Sequence, residues 1–246
     1  MRNNLYKCCP MKEFAIHSVY LATEGEGVRV GTPQVFVRFM GCNIGCINCD
    51  SKDTWEFTEP NYSLDELLSV IEAESGVNER RVKNISITGG DPLHPKHIPA
   101  ILKLSKTLKQ KGYFINIEAS GMRVVDEIFD LIDFVSFDIK TPSTGVKFNE
   151  KALLKLITQY GEKAQVKAVI QNRHDFDFVY DIYTKIEKET PDLKTPFVLT
   201  PCFEPGENLP KVLVQSIVEL NQAIGAPFKV ILQQHKVIYS SDFGNF

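Results

Sequence analysis

Residues 35–50 read VFVRFMGCNIGCINCD, an apolar run of β-branched and aromatic residues followed directly by three cysteines. The run at 35–39 predicts a β-strand, and Cys42, Cys46 and Cys49 then lie in the loop that follows it. Iron–sulfur clusters are normally held by four cysteine thiolates, yet this trio has no fourth cysteine nearby. The spacing therefore predicts a four-iron cluster with one iron left for an exchangeable ligand.

Other uses of the three cysteines stay open from the spacing alone. A structural zinc site takes four ligands, usually in two separated pairs, and no second pair lies downstream. A disulfide would leave one of the three thiols over. The remaining cysteines, Cys8, Cys9 and Cys202, are interpreted as small hydrophobic residues or incidental thiols. The cluster is the favoured hypothesis.

Composition limits the classes of function. The chain has 246 residues, 43% hydrophobic and 24% charged, which is ordinary for a globular protein. A net charge of -3 leaves no positive excess for a nucleic-acid backbone, so no direct nucleic-acid partner is expected. There is no signal-peptide pattern and no apolar run of membrane-spanning length, so we expect a cytoplasmic protein without membrane contact. Six cysteines are too sparse for a disulfide scaffold, and a reducing compartment would keep them as thiols.

Strand-like and helix-like segments alternate along the whole chain. The predicted strands are residues 35–39, 84–88, 113–118, 134–139, 164–170, 196–200 and 228–232. One helix is predicted to begin at the capping box of Ser63 and Glu66. Four more are predicted over residues 97–111, 149–160, 176–189 and 210–224, and Gly112 and Gly161 are expected to end the first two of these. This alternation predicts a single domain over residues 1–246 with parallel strands and outer helices, an α/β barrel or a partly closed one. Its chemistry is expected at the carboxyl ends of the strands.

Polar motifs stand where three of these strands end. They are TGGDP at 88–92, EASG at 118–121 and DIKTPS at 138–143. Two glycines let backbone groups approach a ligand closely, although such a sequence is also common in an ordinary turn. The second motif offers a carboxylate and a hydroxyl suited to ribose hydroxyl groups. The acid and the lysine of the third could form a structural ion pair, but charges at a barrel mouth favour ligand contacts.

The order and spacing of these motifs resemble the radical S-adenosylmethionine (SAM) superfamily. Its Gly-Gly-Glu-Pro motif meets the methionyl amino group, and here Asp91 replaces the glutamate. Shorter segments resemble one family within it, the 7-carboxy-7-deazaguanine synthases of queuosine biosynthesis. These segments are EGEG at 24–27, GTP at 31–33, FVRF at 36–39, GCN at 41–43 and CDS at 49–51, with looser likeness at 138–143, 200–201 and 234–236.

The resemblance implies a lyase that converts 6-carboxy-5,6,7,8-tetrahydropterin to 7-carboxy-7-deazaguanine with loss of ammonia. It implies a [4Fe-4S] cluster, SAM and Mg²⁺ as cofactors, a flavodoxin or ferredoxin as reductant, and a homodimer. Two rivals remain: a glycyl-radical activating enzyme, against which the segment 24–33 argues, and a non-catalytic iron–sulfur carrier.

The resemblance also implies roles for individual residues. The cluster ligands would be Cys42, Cys46 and Cys49, and Ser51 would give a hydroxyl oxygen to Mg²⁺. The SAM contacts would be Asn48, Cys49, Asp50, Gly90, Glu118, Ser120, Asp138, Ile139, Lys140, Thr200 and Pro201. The substrate contacts would be Thr23, Glu24, Gly25, Arg38, Thr88 and Phe246. Arg38 suits a substrate carboxylate because its planar guanidinium can donate two parallel hydrogen bonds.

Three positions depart from the family pattern. Glu24 stands where glutamine is common, and a carboxylate there lacks the two amide donors. Asn48 stands where an aromatic residue is usual, so only its backbone is expected to meet the adenine. The stretch at 138–140 reads Asp-Ile-Lys instead of the commoner Ser-Pro-Lys.

Overall fold

One mostly parallel sheet organises the chain. The computed structural model describes residues 11–76, 81–204, 206 and 208–239. Its strands, in chain order and in sheet order, are β1 (Ile16–Thr23), β2 (Pro33–Phe39), β3 (Asn84–Gly89), β4 (Phe114–Ala119), β5 (Phe134–Ile139), β6 (Ala164–Ile170), β7 (Phe197–Pro201) and β8 (Lys229–Val230). β1 pairs antiparallel with β2, and every later neighbour pair is parallel.

Helices follow most of the strands and cover one face of the sheet. They are α1 (Leu64–Glu74), α2 (Ile98–Gln110), α3 (Asp126–Phe129), α4 (Glu150–Tyr160), α5 (Arg173–Glu189), α6 (Lys211–Ala223) and α7 (Gln234–Tyr239). Leu67, Leu104 and Leu156 from the helices join alternate strand residues such as Ile85 and Phe137 in a buried apolar core. None of the helices in the described ranges is both long and apolar enough to cross a membrane.

The opposite face of the sheet is polar. Side chains alternate between the two faces of a strand, and the register aligns the polar positions of neighbouring strands: Ser86 with Asn116, Glu118 with Ser136, and Asp138 with Lys167. Arg38 is likewise aligned with Thr88. The sheet therefore presents a continuous polar surface on the side away from the helices.

The sheet curves around this polar surface. The turn after β1 reaches the sixth strand, where the Val28 amide donates to Gln165 Oε1 at 2.7 Å. The segment after β8 returns to the same turn, since the Gln234 amide donates to the Gly25 carbonyl at 2.8 Å. Contacts between the two ends of the strand order give the partial barrel that the sequence predicts, with a polar interior.

Most predicted elements are confirmed, including two strands whose predicted bounds match residue for residue, β5 and β6. The capping box is also confirmed: the Ser63 amide donates to Glu66 Oε2 at 2.8 Å, and the Glu66 amide donates to Ser63 Oγ at 3.4 Å. Among the strands and α-helices of the described ranges, β1, α3 and α7 were not predicted. The prediction for α5 began too late, because the Asn172 side chain caps that helix.

The two predicted helix stops differ. Gly112 has a φ of +74°, the left-handed conformation of a glycine that ends a helix. Gly161 instead has a φ of -57° and leads into a short 3-10 turn, so α4 ends without a left-handed residue.

Candidate active site

The cysteine loop is fastened to the strands beside it by backbone hydrogen bonds. The Gly41 amide donates to the Thr54 carbonyl at 2.7 Å, and the Cys42 amide donates to the Trp55 carbonyl at 3.0 Å. From the next strand, the Asp91 amide donates to the Gly41 carbonyl at 3.0 Å. These bonds place the loop at the carboxyl end of β2 and β3, as predicted.

The three cysteines are free thiols with donors around them. Both the Ser51 amide and Trp55 Nε1 donate to Cys49 Sγ at 3.4 Å. Burial raises the pKa of the Cys42 thiol, and hydrogen bonds from nearby backbone amides oppose this rise. Burial also raises the pKa of the Cys46 thiol, against the positive charge of Lys140. Such donors stabilise thiolate sulfur, which is the form that binds iron.

The three cysteine thiolates are a donor set of the kind that holds an iron–sulfur cluster. Within the described part of the chain, no three His, Cys, Asp or Glu side chains converge in the way that one bound ion requires. In a four-iron cluster each thiolate binds a different iron, so the sulfurs need not share one point. The donor set of three thiolates therefore fits a [4Fe-4S] cluster.

Polar atoms without a partner mark the walls of the same region. Among the described residues, buried side-chain atoms that lack a hydrogen-bond partner include Arg38 Nε, Asn48 Nδ2 and Thr200 Oγ1. Buried polar groups are nearly always hydrogen-bonded, and exceptions concentrate at functional sites. Arg38 is a predicted substrate contact, and Asn48 and Thr200 are predicted SAM contacts, Asn48 through its backbone alone. The unpartnered Asn48 Nδ2 shows that its side chain could also meet a polar ligand.

The glycines of the TGGDP motif allow two backbones to meet. A Cβ on Gly89, which has a φ of +120°, would lie 2.2 Å from the Phe39 carbonyl oxygen. A Cβ on Gly90 would lie 2.5 Å from the Gly41 carbonyl oxygen, and the Gly90 amide donates to the Phe39 carbonyl at 3.0 Å. The missing side chains thus let β3 pack directly against the cysteine loop, and the motif positions that loop.

A cluster of charges fills the middle of the barrel interior. Lys167 Nζ lies 2.6 Å from Glu26 Oε2, 3.3 Å from Glu118 Oε2 and 3.9 Å from Asp138 Oδ1. Lys140 Nζ also donates to Asp138, at 2.9 Å to Oδ2. Burial works against ionisation here, but the charges of Lys167 and His235 and the hydrogen bonds from Gln233 and Lys167 together outweigh it and lower the pKa of Glu26 to about 2. Likewise, burial would lower the pKa of Lys167, and the surrounding carboxylates instead raise it well above its usual range.

Glu24 has the opposite electrostatic environment. Its side chain is buried and accepts a hydrogen bond from Gln34 Nε2 at 2.6 Å. Burial is the main cause that raises the pKa of Glu24 to about 7, helped by the negative charge of Glu118. A carboxyl group that holds its proton near neutral pH can donate one hydrogen bond. Glu24 can therefore supply a donor of its own, although it lacks the two donors of an amide.

Arg38 joins the cysteine loop to β1. Its Nη1 donates to Ser51 Oγ at 2.9 Å, and its Nη2 donates to the Tyr20 hydroxyl at 3.0 Å. The Ser51 hydroxyl in turn donates to Asp50 Oδ1 at 3.1 Å. The Arg38 guanidinium and the Ser51 hydroxyl thus lie side by side, and Ser51 follows the cluster ligand candidate Cys49 by two residues in the sequence.

The other predicted site residues divide into three groups. Ser120 lies at the carboxyl end of β4, where its hydroxyl donates to Asp91 at 3.1 Å, and buried Pro201 ends β7. Ile139 packs in the apolar core, and Thr23 is exposed at the far end of β1, on the side opposite the cysteines. Phe246, like Cys8 and Cys9, lies outside the described residues.

Several interior residues received no role from the sequence, although Glu26, His235 and Lys236 stand in segments that resemble the family. Besides Glu26 and Lys167, they are Tyr20, Gln165, Gln233, His235 and Lys236. The last three come from the end of the described chain: Gln233 Nε2 donates to Glu26 at 2.6 Å, and Lys236 Nζ lies 3.2 Å from Asp50 Oδ2. Polar residues two apart in otherwise apolar strands, such as Gln165 and Lys167, were an available signal of a polar interior.

A comparison with known families agrees with this geometry. The sequence profile described as Radical SAM superfamily matches residues 36–195, which covers the second half of β2, the cysteine loop and strands β3 to β6. The chain belongs to the radical SAM superfamily. Membership implies a [4Fe-4S] cluster and SAM as cofactors of this radical SAM protein.

Curated relatives of this radical SAM protein share one name. A 7-carboxy-7-deazaguanine synthase of Leptospira interrogans is 26% identical over 94% of this chain and 97% of its own length. One of Clostridium acetobutylicum is 28% identical over 90% of this chain and 94% of its own. One of Aquifex aeolicus is 32% identical over a shorter part, 52% of this chain and 53% of its own.

Solved structures support the fold. QueE from Escherichia coli superposes with a TM-score of 0.65 at 23% identity, covering 90% of this chain and 94% of QueE. SuiB from Streptococcus suis, solved bound to SAM, gives a TM-score of 0.52 at 14% identity over 81% of this chain and 47% of SuiB. At these identities the likeness shows a shared radical SAM fold.

Proposed function

We propose that this radical SAM protein is a 7-carboxy-7-deazaguanine synthase, which converts 6-carboxy-5,6,7,8-tetrahydropterin to 7-carboxy-7-deazaguanine with loss of ammonia. The observation that carries the proposal is the placement of Arg38 beside Ser51 Oγ, at 2.9 Å, next to the cysteine loop. This pair suits a carboxylate-bearing substrate held close to the radical source. Relatives with this name that align over more than nine-tenths of their own length support the same conclusion.

In this proposal the carboxyl ends of the strands hold the cofactors. Cys42, Cys46 and Cys49 bind three irons of the cluster, and the SAM-binding residues are Asn48, Asp50, Gly90, Glu118, Ser120, Asp138, Ile139, Lys140, Thr200 and Pro201. When bound, the cluster and SAM supply the radical chemistry. Glu118 and Asp138 accept hydrogen bonds from the cofactor's hydroxyl and amino groups. Ile139 contributes through its backbone, because its side chain belongs to the core.

The substrate lies between Arg38 and the turn after β1. Arg38 binds its carboxylate with the free side of the guanidinium, whose Nε has no other partner among the described residues. Thr88, aligned with Arg38 on the next strand, and Glu24 and Gly25 of the turn complete the contacts. Thr23, exposed on the side opposite the cysteines, is kept as a contact from the resemblance alone. The buried carboxyl group of Glu24, while it holds its proton, donates a hydrogen bond to an acceptor on the pterin edge. Phe246 remains a proposed contact from the resemblance alone.

We also propose Mg²⁺ as a third cofactor, bound by Ser51 Oγ. One hydroxyl cannot hold Mg²⁺ alone, so the substrate carboxylate and water would complete its coordination. A flavodoxin or ferredoxin as reductant, a homodimer, a single domain and a cytoplasmic location complete the proposal. Each of these rests on the resemblance and on composition.

The decisive experiment is an anaerobic assay of the reconstituted protein. We expect protein supplied with dithionite, SAM, Mg²⁺ and carboxytetrahydropterin to form 7-carboxy-7-deazaguanine, detected by mass spectrometry. Deoxyadenosine without that product would show a radical enzyme with a different substrate and would refute the proposed reaction. The absence of both would refute SAM cleavage under these conditions, provided that the iron content is complete.

A titration tests the magnesium proposal separately. After treatment with EDTA, product formation should fall and recover when Mg²⁺ is added. Ser51→Ala should raise the Mg²⁺ concentration needed for recovery, whereas Ser51→Thr keeps the hydroxyl and should behave like the wild type. A rate that does not respond to Mg²⁺ in any of the three proteins would contradict this part of the proposal.

A further inference from the structure

Lys167 is the only residue in the described ranges whose side chain bridges the turn after β1 and the carboxylates of both β4 and β5. It lies 2.6 Å from Glu26 on the turn and 3.3 Å from Glu118 on β4. Its distance to Asp138 on β5 is 3.9 Å. An ammonium group has three donors and no acceptor, so these three carboxylates share one cation.

We propose that Lys167 is a positioning residue that couples substrate binding to SAM binding. The inference rests on the proposed function, in which Glu118 and Asp138 contact SAM while the turn at 24–27 contacts the pterin. A ligand that orders the turn also orders the Glu26 side chain. Because Glu26 is paired with Lys167, the ammonium group of Lys167 is then held in place as well. The ammonium group in turn holds Glu118 and Asp138 in the orientation that SAM requires.

The charge balance of the interior makes this bridge necessary. Around the ammonium group stand Glu26, Glu118 and Asp138, and Asp138 is already bound by Lys140 at 2.9 Å. Only about a tenth of the Lys167 side chain is exposed, at 11%, so water screens these charges weakly. Without the cation, Glu26 and Glu118 would repel each other, and the turn would lose its ionic contact with the strands.

The other contacts of the turn strengthen the link. Glu26 Oε1 accepts from Gln233 Nε2 at 2.6 Å, and the Gly25 carbonyl accepts from the Gln234 amide at 2.8 Å. A Cβ on Gly25 would lie 2.2 Å from His235 Nδ1, so the segment after β8 is packed tightly on the turn. The turn can therefore transmit its position to Lys167 without a larger rearrangement of the sheet.

Coupling of two ligands through a shared, ordered element is a matter of conformational entropy. The first ligand orders the turn, the lysine and the two carboxylates, and the second ligand then binds to groups that are already ordered. Such coupling is reciprocal and typically amounts to about fivefold or more in affinity. We therefore expect the pterin to tighten SAM binding and SAM to tighten pterin binding by the same factor.

The test measures SAM affinity by equilibrium dialysis of cluster-loaded protein without reductant, so that no turnover occurs. In the wild type, saturating carboxytetrahydropterin should lower the Kd of SAM about fivefold or more. In Lys167→Met the Kd should be nearly independent of the pterin. Lys163→Met is the control. Lys163 directly precedes β6, the strand that contains Lys167, but its ammonium group donates to the carbonyls of Phe129 and Ile132, away from the site. This variant should keep the coupling.

A second variant distinguishes positioning from general damage to the interior. Glu26→Gln breaks the same bridge from the other side and should also abolish the coupling. The double variant Lys167→Met, Glu26→Gln should lose no more coupling than either single variant. Both single variants and the double variant lack the same contact, the ion pair between Lys167 and Glu26.

The outcomes separate this inference from the proposed function. Coupling that persists in Lys167→Met, or that is lost equally in Lys163→Met, would overturn the role of Lys167. A wild type that makes the deazaguanine product but shows no coupling would overturn it as well while the proposed function stands. A wild type that neither binds nor converts the pterin would overturn the proposed function, and this inference with it.

Discussion

Gln34 Nε2 donates to Glu24 Oε2 at 2.6 Å, and both side chains are buried. The charge of Lys167 and, after it, the hydrogen bond from this amide offset only part of what Glu24 loses by leaving water, since Glu26 and Glu118 nearby carry the same charge as an ionised Glu24. Burial, followed by the charge of Glu118, raises the pKa of Glu24 from 4.5 to about 7. In the folded protein Glu24 thus binds its proton more tightly than in the unfolded chain.

The first prediction concerns stability as a function of pH. An acid with a raised pKa contributes stability that is complete below pH 4.5 and is lost as the pH rises through about 7. Glu24→Gln removes this loss. The variant should therefore gain stability over the wild type between these pH values, up to about 3 kcal/mol above pH 7, or roughly 10 °C in Tm.

Thermal unfolding of the cluster-loaded protein at a series of pH values would measure this difference. Glu56→Gln serves as the control, because Glu56 is exposed and its substitution removes a carboxylate without touching the barrel interior. A Glu24→Gln curve that runs parallel to that of the wild type would show that folding does not shift the pKa of Glu24.

The second prediction concerns substrate recognition by Arg38. Arg38→Lys keeps the charge but removes the planar pair of donors, so a bidentate contact with the substrate carboxylate is lost. The KM for carboxytetrahydropterin should rise about 10- to 100-fold, as expected for hydrogen bonds to a charged group. Deoxyadenosine formed without substrate should stay at the wild-type rate. Tyr20→Phe is the matched control, because it removes one partner of the guanidinium and leaves the guanidinium in place.

An unchanged KM in Arg38→Lys would place the substrate carboxylate elsewhere. A parallel loss of deoxyadenosine formation would indicate that Arg38 supports the cysteine loop through Ser51. Comparing the KM with the rate of uncoupled SAM cleavage separates these two cases.

Much of the fold followed from local sequence. Strands β5 and β6 were predicted residue for residue: β5 combines Phe134, Val135 and Phe137, and β6 contains three β-branched residues, Val166, Val169 and Ile170. β1 was missed, since only Ile16 among its eight residues is buried and its pattern of side chains is weakly amphipathic. β1 owes its place to pairing with β2, and such pairing is not visible from the strand itself.

The site was predictable where it lies on one short stretch of chain. The cysteine loop is such a stretch, and its spacing alone indicated a cluster. The contact between Glu26 and Lys167 could not be predicted in this way, because the two residues meet only when the sheet curves and the turn after β1 reaches β6. Glu26 belonged to a segment that resembled the family, yet nothing local identified its partner.

The third prediction concerns the cluster ligands. Reconstituted wild type should hold about four irons per chain. Alanine at Cys42, Cys46 or Cys49 removes one thiolate of three, so each variant should lose most of its iron and the EPR signal of the reduced cluster. Cys202→Ala is the control: this free cysteine is also partly buried but follows β7, and its loss should leave the iron content unchanged. Iron loss in the control equal to that in the others would assign the cluster a different ligand set.

The fourth prediction uses two glycines that share one backbone conformation but differ in their surroundings. Gly121 has a φ of +82° and Gly112 a φ of +74°. A Cβ on Gly121 would lie 1.8 Å from the Asp138 carbonyl oxygen, whereas a Cβ on Gly112 would meet nothing within 4 Å. Alanine at either position incurs the left-handed strain of about 1–2 kcal/mol, and only Gly121→Ala adds a collision with the backbone of β5.

Gly121→Ala should therefore be less stable than Gly112→Ala by at least about 2 kcal/mol, measured by chemical denaturation of the two variants side by side. It should also weaken SAM binding, because the collision displaces Asp138, which lies 3.9 Å from Lys167 and is bound by Lys140. Gly112→Ala should bind SAM like the wild type, since Gly112 follows α2 at the opposite end of β4. Equal losses of stability would mean that the loop after β4 yields freely, and unchanged SAM binding in Gly121→Ala would remove Asp138 from the cofactor contacts.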